Sequence, residues 1–400
     1  MRRPHPGGPG ANPVPPALRR DGVTGLGYVM LATWGWFLYG FGALLPQLGD
    51  DQDISRTLTS LHSVTLAVGA LVTGFVLVPL VRALRRRGVA LLGAGLAVTG
   101  CVVLTAGGGW TAATLTGALV AGFGGSLIVN TATPALSDHH GAESAAALAE
   151  GNAIAAGTGL LAPLAVGAGI AAGLTWRPAV LVTIPMIVVV VLIMRRQPSV
   201  PALDAALPPR SEARSPMPGA VWPAVTVVML CVAVEFVMSA WSADLLRQRT
   251  GISPGAAAAG VSAVFAGMTL GRVVVGRLAL RHPPERLLAG AVVLTVGGWA
   301  LTWSTTSAPV ALAGLATTGL GIAGQFPMGV DVVLRAATPP LRDRATGLLS
   351  IGIGVAAGAG PFVLGTLADA TSTHTAFLVV PGLLAGALAL LVVTRASARA

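Results

Sequence analysis

The sequence predicts an all-α membrane protein with twelve transmembrane helices in two pseudo-symmetric six-helix bundles. Three observations carry that expectation. Only 10% of the 400 residues are charged, where a soluble chain carries roughly 25%. Hydrophobic residues make up 54%, and the mean hydropathy is +0.78. The apolar runs, each near the roughly 20 residues needed to cross a bilayer core, fall symmetrically on either side of a polar stretch at 195–220.

The chain opens on 1–24, rich in proline and glycine, with Arg2, Arg3, Arg19 and Arg20. This reads as a disordered cytoplasmic tail. It has neither the apolar core and cleavage site of a secretory signal nor the serines of a transit peptide. The first bundle spans 25–194, with helices at about 25–46, 58–80, 88–107, 111–133, 146–172 and 177–194. Trp176, Arg177 and Pro178 mark the boundary between its last two helices. In 195–220 the charges of Arg195, Arg196, Asp204, Arg210, Glu212 and Arg214 forbid a buried helix. Its prolines remove backbone donors and disfavour helix before them, so the stretch is a cytoplasmic linker. The second bundle spans 221–394, with helices at about 221–243, 256–279, 287–306, 309–334, 345–368 and 376–394, and 395–400 is a cytoplasmic tail.

The 53 glycines suit membrane helices, where small residues let backbones approach. Cys101 and Cys231 lie inside apolar runs and imply neither a disulfide framework nor a metal site. All 25 basic residues are arginine. With both termini cytoplasmic, only Arg56, Arg177, Arg247 and Arg249 of the 25 fall outside, beside the acids Asp50, Asp51 and Asp53. That asymmetry sets the orientation. The net charge of +10 is then explained by lipid headgroups rather than nucleic acid. The expected location is the bacterial cytoplasmic (inner) membrane, with Trp110, Trp176, Trp241 and Trp303 as anchors near the outer interface.

The halves repeat. Thr133-Pro134-Ala135-Leu136-Ser137-Asp138 follows the fourth helix, and Thr338-Pro339-Pro340-Leu341-Arg342-Asp343 follows the tenth. Each precedes an Ala/Gly-rich helix containing a proline, Pro163 or Pro361. Duplicated six-helix halves are a transporter layout. The run Gly276-Arg277-Leu278-Ala279-Leu280-Arg281 resembles the G-x-L-A-D-R loop of the major facilitator superfamily, with Leu280 at the acid position. The equivalent stretch 81–88 keeps its arginines and final glycine but has Arg85 where the acid belongs. The resemblance covers nearly all of 25–393. It implies the superfamily fold, and a cavity lined by the first, fourth, seventh and tenth helices.

Several motifs resolve to packing. Gly319, Gly321 and Gly324 spell G-x-G-x-x-G, but inside an apolar helix rather than between a strand and a helix start, so a dinucleotide site is rejected. Gly267 with Gly271, and Gly354 with Gly358, read as notches for close helix contact. Gly157, Gly159, Pro163 and Gly167 loosely resemble the glycine–proline motif of exporters in that superfamily, and read first as packing and a kink. Asp138, His139, His140 and Glu143 lack metal-ligand spacing and are expected on a solvated loop. Glu150 suits a helix N-terminus, and Asp331 and Arg335 make an i,i+4 pair.

Glu235 stands out. It lies about 21 Å along the seventh helix, at ~1.5 Å per residue, and shares a stripe with Cys231, Ser239 and Ser242. Ionisable groups at that depth mark pathways, so Glu235 is the candidate for proton coupling or substrate binding. A neutral acid hydrogen-bonded in helix packing is the structural alternative. Trp36, Tyr39, Ser126, Asn130, Asn152, Ser239 and Gln325 are candidates for the cavity. Arg272, Gly276, Arg277, Arg281 and Asp331 form the candidate gating and cytoplasmic-loop set. Arg272 is judged too close to the cytoplasmic side to meet Glu235, and is expected to reach Asp331 or Glu150.

The expected activity is secondary transport of a small solute by alternating access, coupled to protons through Glu235, with export favoured over uptake of a sugar or organic acid. A monomer without cofactor, metal or catalytic residues is expected. A membrane enzyme would need a nucleophile–base set or metal cluster at membrane depth, and none converges in the sequence. A non-transporting receptor on the same fold is the other class, kept open by the missing loop acids.

Overall fold

The computed structural model describes residues 20–197, 200–204, 216–279, 281–338 and 341–397. Most of the N-terminal tail, the centre of the linker with Arg210, and Leu280, Pro339 and Pro340 lie outside them. Among the described residues, eleven helices are long and apolar enough to cross a membrane. One of these, Arg56–Ala106, is broken at Arg85, where φ is 59° and ψ 170°. It therefore supplies two crossings, α2 (56–84) and α3 (86–106), and the crossings number twelve.

The others are α1 (Gly22–Gln52), α4 (Thr111–His140), α5 (Ser144–Ala171), α6 (Arg177–Arg196), α7 (Val221–Thr250), α8 (Pro254–Leu278), α9 (Pro284–Ser304), α10 (Ala308–Ala336), α11 (Arg342–Ala370) and α12 (Thr373–Val393). An even number of crossings puts Gly22 and the end of α12 on one face, here the terminal face.

Several helices outrun the apolar segments that announce them. Asp21 caps α1, accepting from the Val23 and Thr24 amides, while the Thr24 hydroxyl receives the Asp21 amide in a capping box. The N-terminal tail thus gives way to helix at residue 22 rather than 25. α4 continues to His140, so the stretch 133–138 is helical, not a loop. Polar residues outside the hydrocarbon need not end a helix. The repeat stretch is helical in the first half and leaves the helix after Ala336 in the second.

The linker also keeps structure. Pro201–Asp204 forms one helical turn, held by Arg87, which donates to Asp204 Oδ1 and the Met194 and Gln197 carbonyls. Arg86 donates to Asp138 and to the Ala202 carbonyl. These anchors hold the Arg85 turn, a conformation that costs of order 1–3 kcal/mol for a residue with a Cβ.

The glycines act as notches. A Cβ on Gly267 or Gly271 would strike α10 at Ala316, Leu320 or Ala323, and one on Gly319 would strike Val264. Gly321 faces Thr295 on α9. Gly354 and Gly358 on α11 seat Leu71, Ala67 and Val64 of α2, across the two halves. Of the four expected interfacial tryptophans only Trp110 is exposed; Trp176, Trp241 and Trp303 instead spend their indole N–H groups on Asp51, the Pro361 carbonyl and the His374 carbonyl.

Candidate functional site

Between the halves lies a cavity of about 180 Å³, lined by α1, α2, α4, α7 and α11. α1 presents Trp34, Leu38 and Phe41 at helical spacing, and α2 presents Ser63, Ala67 and Ala70. Trp34 fits because α4 carries Gly125, where any Cβ would collide with the indole. α7 contributes Phe236 and Ser239, and α11 Ile353, Ala357 and Pro361.

Three sequence candidates line this cavity: Ser126, Asn130 and Ser239. Asn130 donates through Nδ2 to the Ser126 carbonyl at 2.8 Å. Ser239 donates to the Phe236 carbonyl at 3.0 Å. Four candidates do not line it. Trp36 donates to the Ala179 carbonyl of α6 at 2.8 Å. Asn152 is exposed and donates to Leu148 of its own helix. Gln325 is buried and donates to Thr295 Oγ1 at 2.7 Å, turning α10 toward α9 rather than the cavity. Tyr39 packs on Phe265 with ring centroids 4.4 Å apart, in room left by Gly159. Ser63, Trp34, Phe41 and Phe236 were missed; the four-residue spacing of Trp34 and Leu38 on α1 was the available signal.

Glu235 does not line the chamber. It is half-buried in a neighbouring cluster with Tyr39 and Arg272. Among the described residues Arg272 forms neither a hydrogen bond with Tyr39 nor an ion pair with Glu235, and its charge acts on both through space. Arg272 was expected too close to the cytoplasmic side to meet Glu235; it comes within electrostatic reach of it without pairing with it. α8 runs toward the terminal face, and helical side chains lean toward their own N-terminus. The expected partners of Arg272 are taken: Asp331 pairs with Arg335 at 3.0 Å, and Glu150 receives Arg20 and the Tyr28 hydroxyl. Arg277 and Arg281 are exposed, Gly276 faces open space, and neither arginine makes an ion pair among the described residues.

The residues expected on a solvated loop are engaged instead. Asp138 takes Arg86, His139 meets Asp21 at 2.8 Å, and His140 meets the Thr24 hydroxyl at 2.9 Å. The Asp21 carboxyl sits at about 2: partial burial opposes this, but hydrogen bonds from Thr24 and His139 outweigh it.

The face opposite the chain ends is closed by contacts between the halves. Arg56 pairs with Asp244 and Arg247 with Asp50. Asp369 on α11 accepts the Arg56 and Thr57 amides and the Thr57 hydroxyl. On the terminal face the described pairs Arg20–Glu150, Arg86–Asp138 and Asp331–Arg335 each stay within one half.

The family model described as Major Facilitator Superfamily matches residues 26–242 and 221–400. No curated protein matches the sequence significantly. Among solved structures, the nucleoside transporter NupG superposes with a TM-score of 0.73 at 13% identity, covering 95% of this chain and 98% of that one. A bacterial homolog of the human lysosomal transporter Spinster, inward-facing and occupied, gives 0.71 at 13% identity, covering 92% and 96%. The Major Facilitator Superfamily transporter FucP in its outward conformation gives 0.62 at 14% identity, covering 94% and 99%.

Proposed function

The chain belongs to the Major Facilitator Superfamily, and from that premise we propose that this secondary transporter couples solute movement to protons through Glu235. Members of the family are transporters, not enzymes, and the chain is a multi-pass membrane protein. The observation that carries the proposal is Glu235 itself, a half-buried acid within the membrane-spanning helix α7. Tyr39 of the first half packs on Phe265 of α8, and Glu235 and Arg272 act on it electrostatically. Ionisable groups at membrane depth are costly unless paired or facing water.

The cluster supports a cycle. The ionised Glu235 carboxylate is balanced by Arg272. Protonation removes that attraction and frees Arg272 to interact differently with Tyr39, across the contact that must change when the halves rock. Proton occupancy then biases which face is open. The arginine asymmetry supports a cytoplasmic terminal face in the bacterial inner membrane, so closure at the opposite face corresponds to an inward-facing state. The moving bodies are 25–194 and 221–394 within one monomer, and we favour export. The exposed residues Gly276, Arg277 and Arg281 are the candidate gate on the cytoplasmic side.

The test is solute accumulation driven by a pH gradient in proteoliposomes, comparing wild type with Glu235→Gln. Loss of accumulation supports the reading, and equal accumulation by the variant overturns it.

A further inference from the structure

We propose that the central cavity takes a compact, uncharged solute with an aromatic or otherwise planar apolar body and one amide-like polar edge. The inference rests on the transport reading and names the chemical class of its cargo.

Charge comes first. None of the residues lining the cavity is ionisable. Glu235 and Arg272 are not part of the lining. A carboxylate or ammonium entering the chamber would surrender its hydration without gaining a counter-charge, which is strongly unfavourable. A sugar would need many more hydrogen-bonding partners than the walls provide.

The two walls differ. The wall from the first half carries Ser63, Ser126 and Asn130. Nδ2 of Asn130 donates to the Ser126 carbonyl and to the Ser126 hydroxyl. Its carbonyl oxygen makes no hydrogen bond among the described residues, and Asn130 is exposed at the chamber wall. The amide therefore offers its carbonyl oxygen as an acceptor, the complement of the N–H of another amide edge. The opposite wall presents Phe236 and Ile353. Its Ser239 hydroxyl has already given its hydrogen to the Phe236 carbonyl. Pro361, lacking an N–H, leaves the Ala357 carbonyl without its helical donor, so this wall offers acceptors only. Trp34 supplies a flat surface beside the polar wall.

Size agrees. A cavity of about 180 Å³ is below the roughly 300–1,000 Å³ of drug-sized pockets.

Matched probes test this. Benzamide, benzoate, benzylammonium and toluene share one ring and differ in charge and polar edge. Their binding to the full chain in nanodiscs is measured by saturation-transfer NMR and calorimetry at pH 7. Benzamide is expected to bind at least tenfold more tightly than benzoate or benzylammonium. Asn130→Ala is expected to weaken benzamide about tenfold and leave toluene unchanged, which also shows that the variant is folded. Equal or tighter binding of either ion, failure of all four probes to bind, or an equal loss of benzamide and toluene binding overturns the inference. Spin-label distances between the halves on each face report alternation independently of any solute. A protein that alternates yet rejects benzamide sinks the cargo class and leaves the transport reading standing; one that never alternates sinks the transport reading.

Discussion

Arg56, at the start of α2, donates through Nε to Asp244 Oδ2 near the end of α7, at 3.0 Å, and so ties the two halves together at the face opposite the chain ends. Asp244 is buried, while the Arg56 side chain is 37% exposed. The same carboxylate oxygen also receives Thr373 and Gln248. The bond therefore belongs to a partly dry network rather than to a loose surface pair.

Asp244→Asn keeps the shape and removes the charge. Hydrogen bonds to charged groups contribute about 1.5–3 kcal/mol, and part of that survives because an amide oxygen still accepts. A loss of about 1–3 kcal/mol shifts a two-state ratio roughly 5- to 150-fold. The expected outcome is a larger open population at this face, read as faster thiol labelling of a cysteine placed there or as longer spin-label distances. An unchanged distance distribution would show that the latch does not set the equilibrium.

Gly271→Leu is expected to abolish folded protein. Even a Cβ would lie 2.6 Å from Ala323 Cβ and 2.7 Å from the Leu320 carbonyl, and overpacking a tight core costs typically 1–3 kcal/mol, more when backbone must move. Gly276→Ala, one turn further along, meets nothing within 4 Å and is expected to leave yield unchanged. Size-exclusion profiles of the two variants after extraction make the comparison.

Asp21→Ala removes a capping box, at a cost of about 1 kcal/mol. The folded carboxyl titrates near 2, below an ordinary aspartate near ~3.9. Its folded value is depressed, so the stabilisation is complete above the ordinary value and disappears as pH falls toward 2. The difference in melting temperature between wild type and Asp21→Ala should therefore be constant from pH 8 to 5 and shrink below pH 4. A difference as large at pH 2.5 as at pH 7 would refute this account of the cap.

The arginine distribution predicts that a reporter fused after Arg214, between the halves, is cytoplasmic. A periplasmic signal from such a fusion would invert the orientation assigned to both faces.

Hydropathy made the crossings legible because spanning a bilayer imposes a length and a composition on each one. It could not show where helices stop in water, which is why α1 and α4 run on past their apolar segments. Glu235 was legible as an anomaly, since an acid in an apolar run needs a reason. Its electrostatic neighbour Arg272 was not: depth counted by residue number ignores the lean of helical side chains toward the N-terminus of their own helix. The cavity was half legible. Ser126, Asn130 and Ser239 are polar on helices that meet at the interface, but Trp34 and Phe236 look like any other membrane aromatic until the glycine that makes room for one of them is placed opposite it. Gln325 misled because a lone amide in a membrane helix can as well bridge to a neighbour, here Thr295.

The sharpest prediction separates binding from coupling at Glu235. Glu235→Gln preserves the shape of the protonated acid and removes titration, and it leaves the cavity lining untouched because Glu235 is not part of it. Solute binding and reorientation need no net proton movement. Counterflow exchange, with solute on both sides and no gradient, is therefore expected to continue within about two- to threefold of wild type, a shift smaller than the ~1.4 kcal/mol of a tenfold change. Accumulation against a solute gradient, driven by a pH difference, is expected to be lost, since the variant has no proton to carry at that position. If both activities fall together, Glu235 serves reorientation or folding rather than coupling. If both persist, the carboxyl is a packed neutral group, and the proton path runs through another part of the molecule.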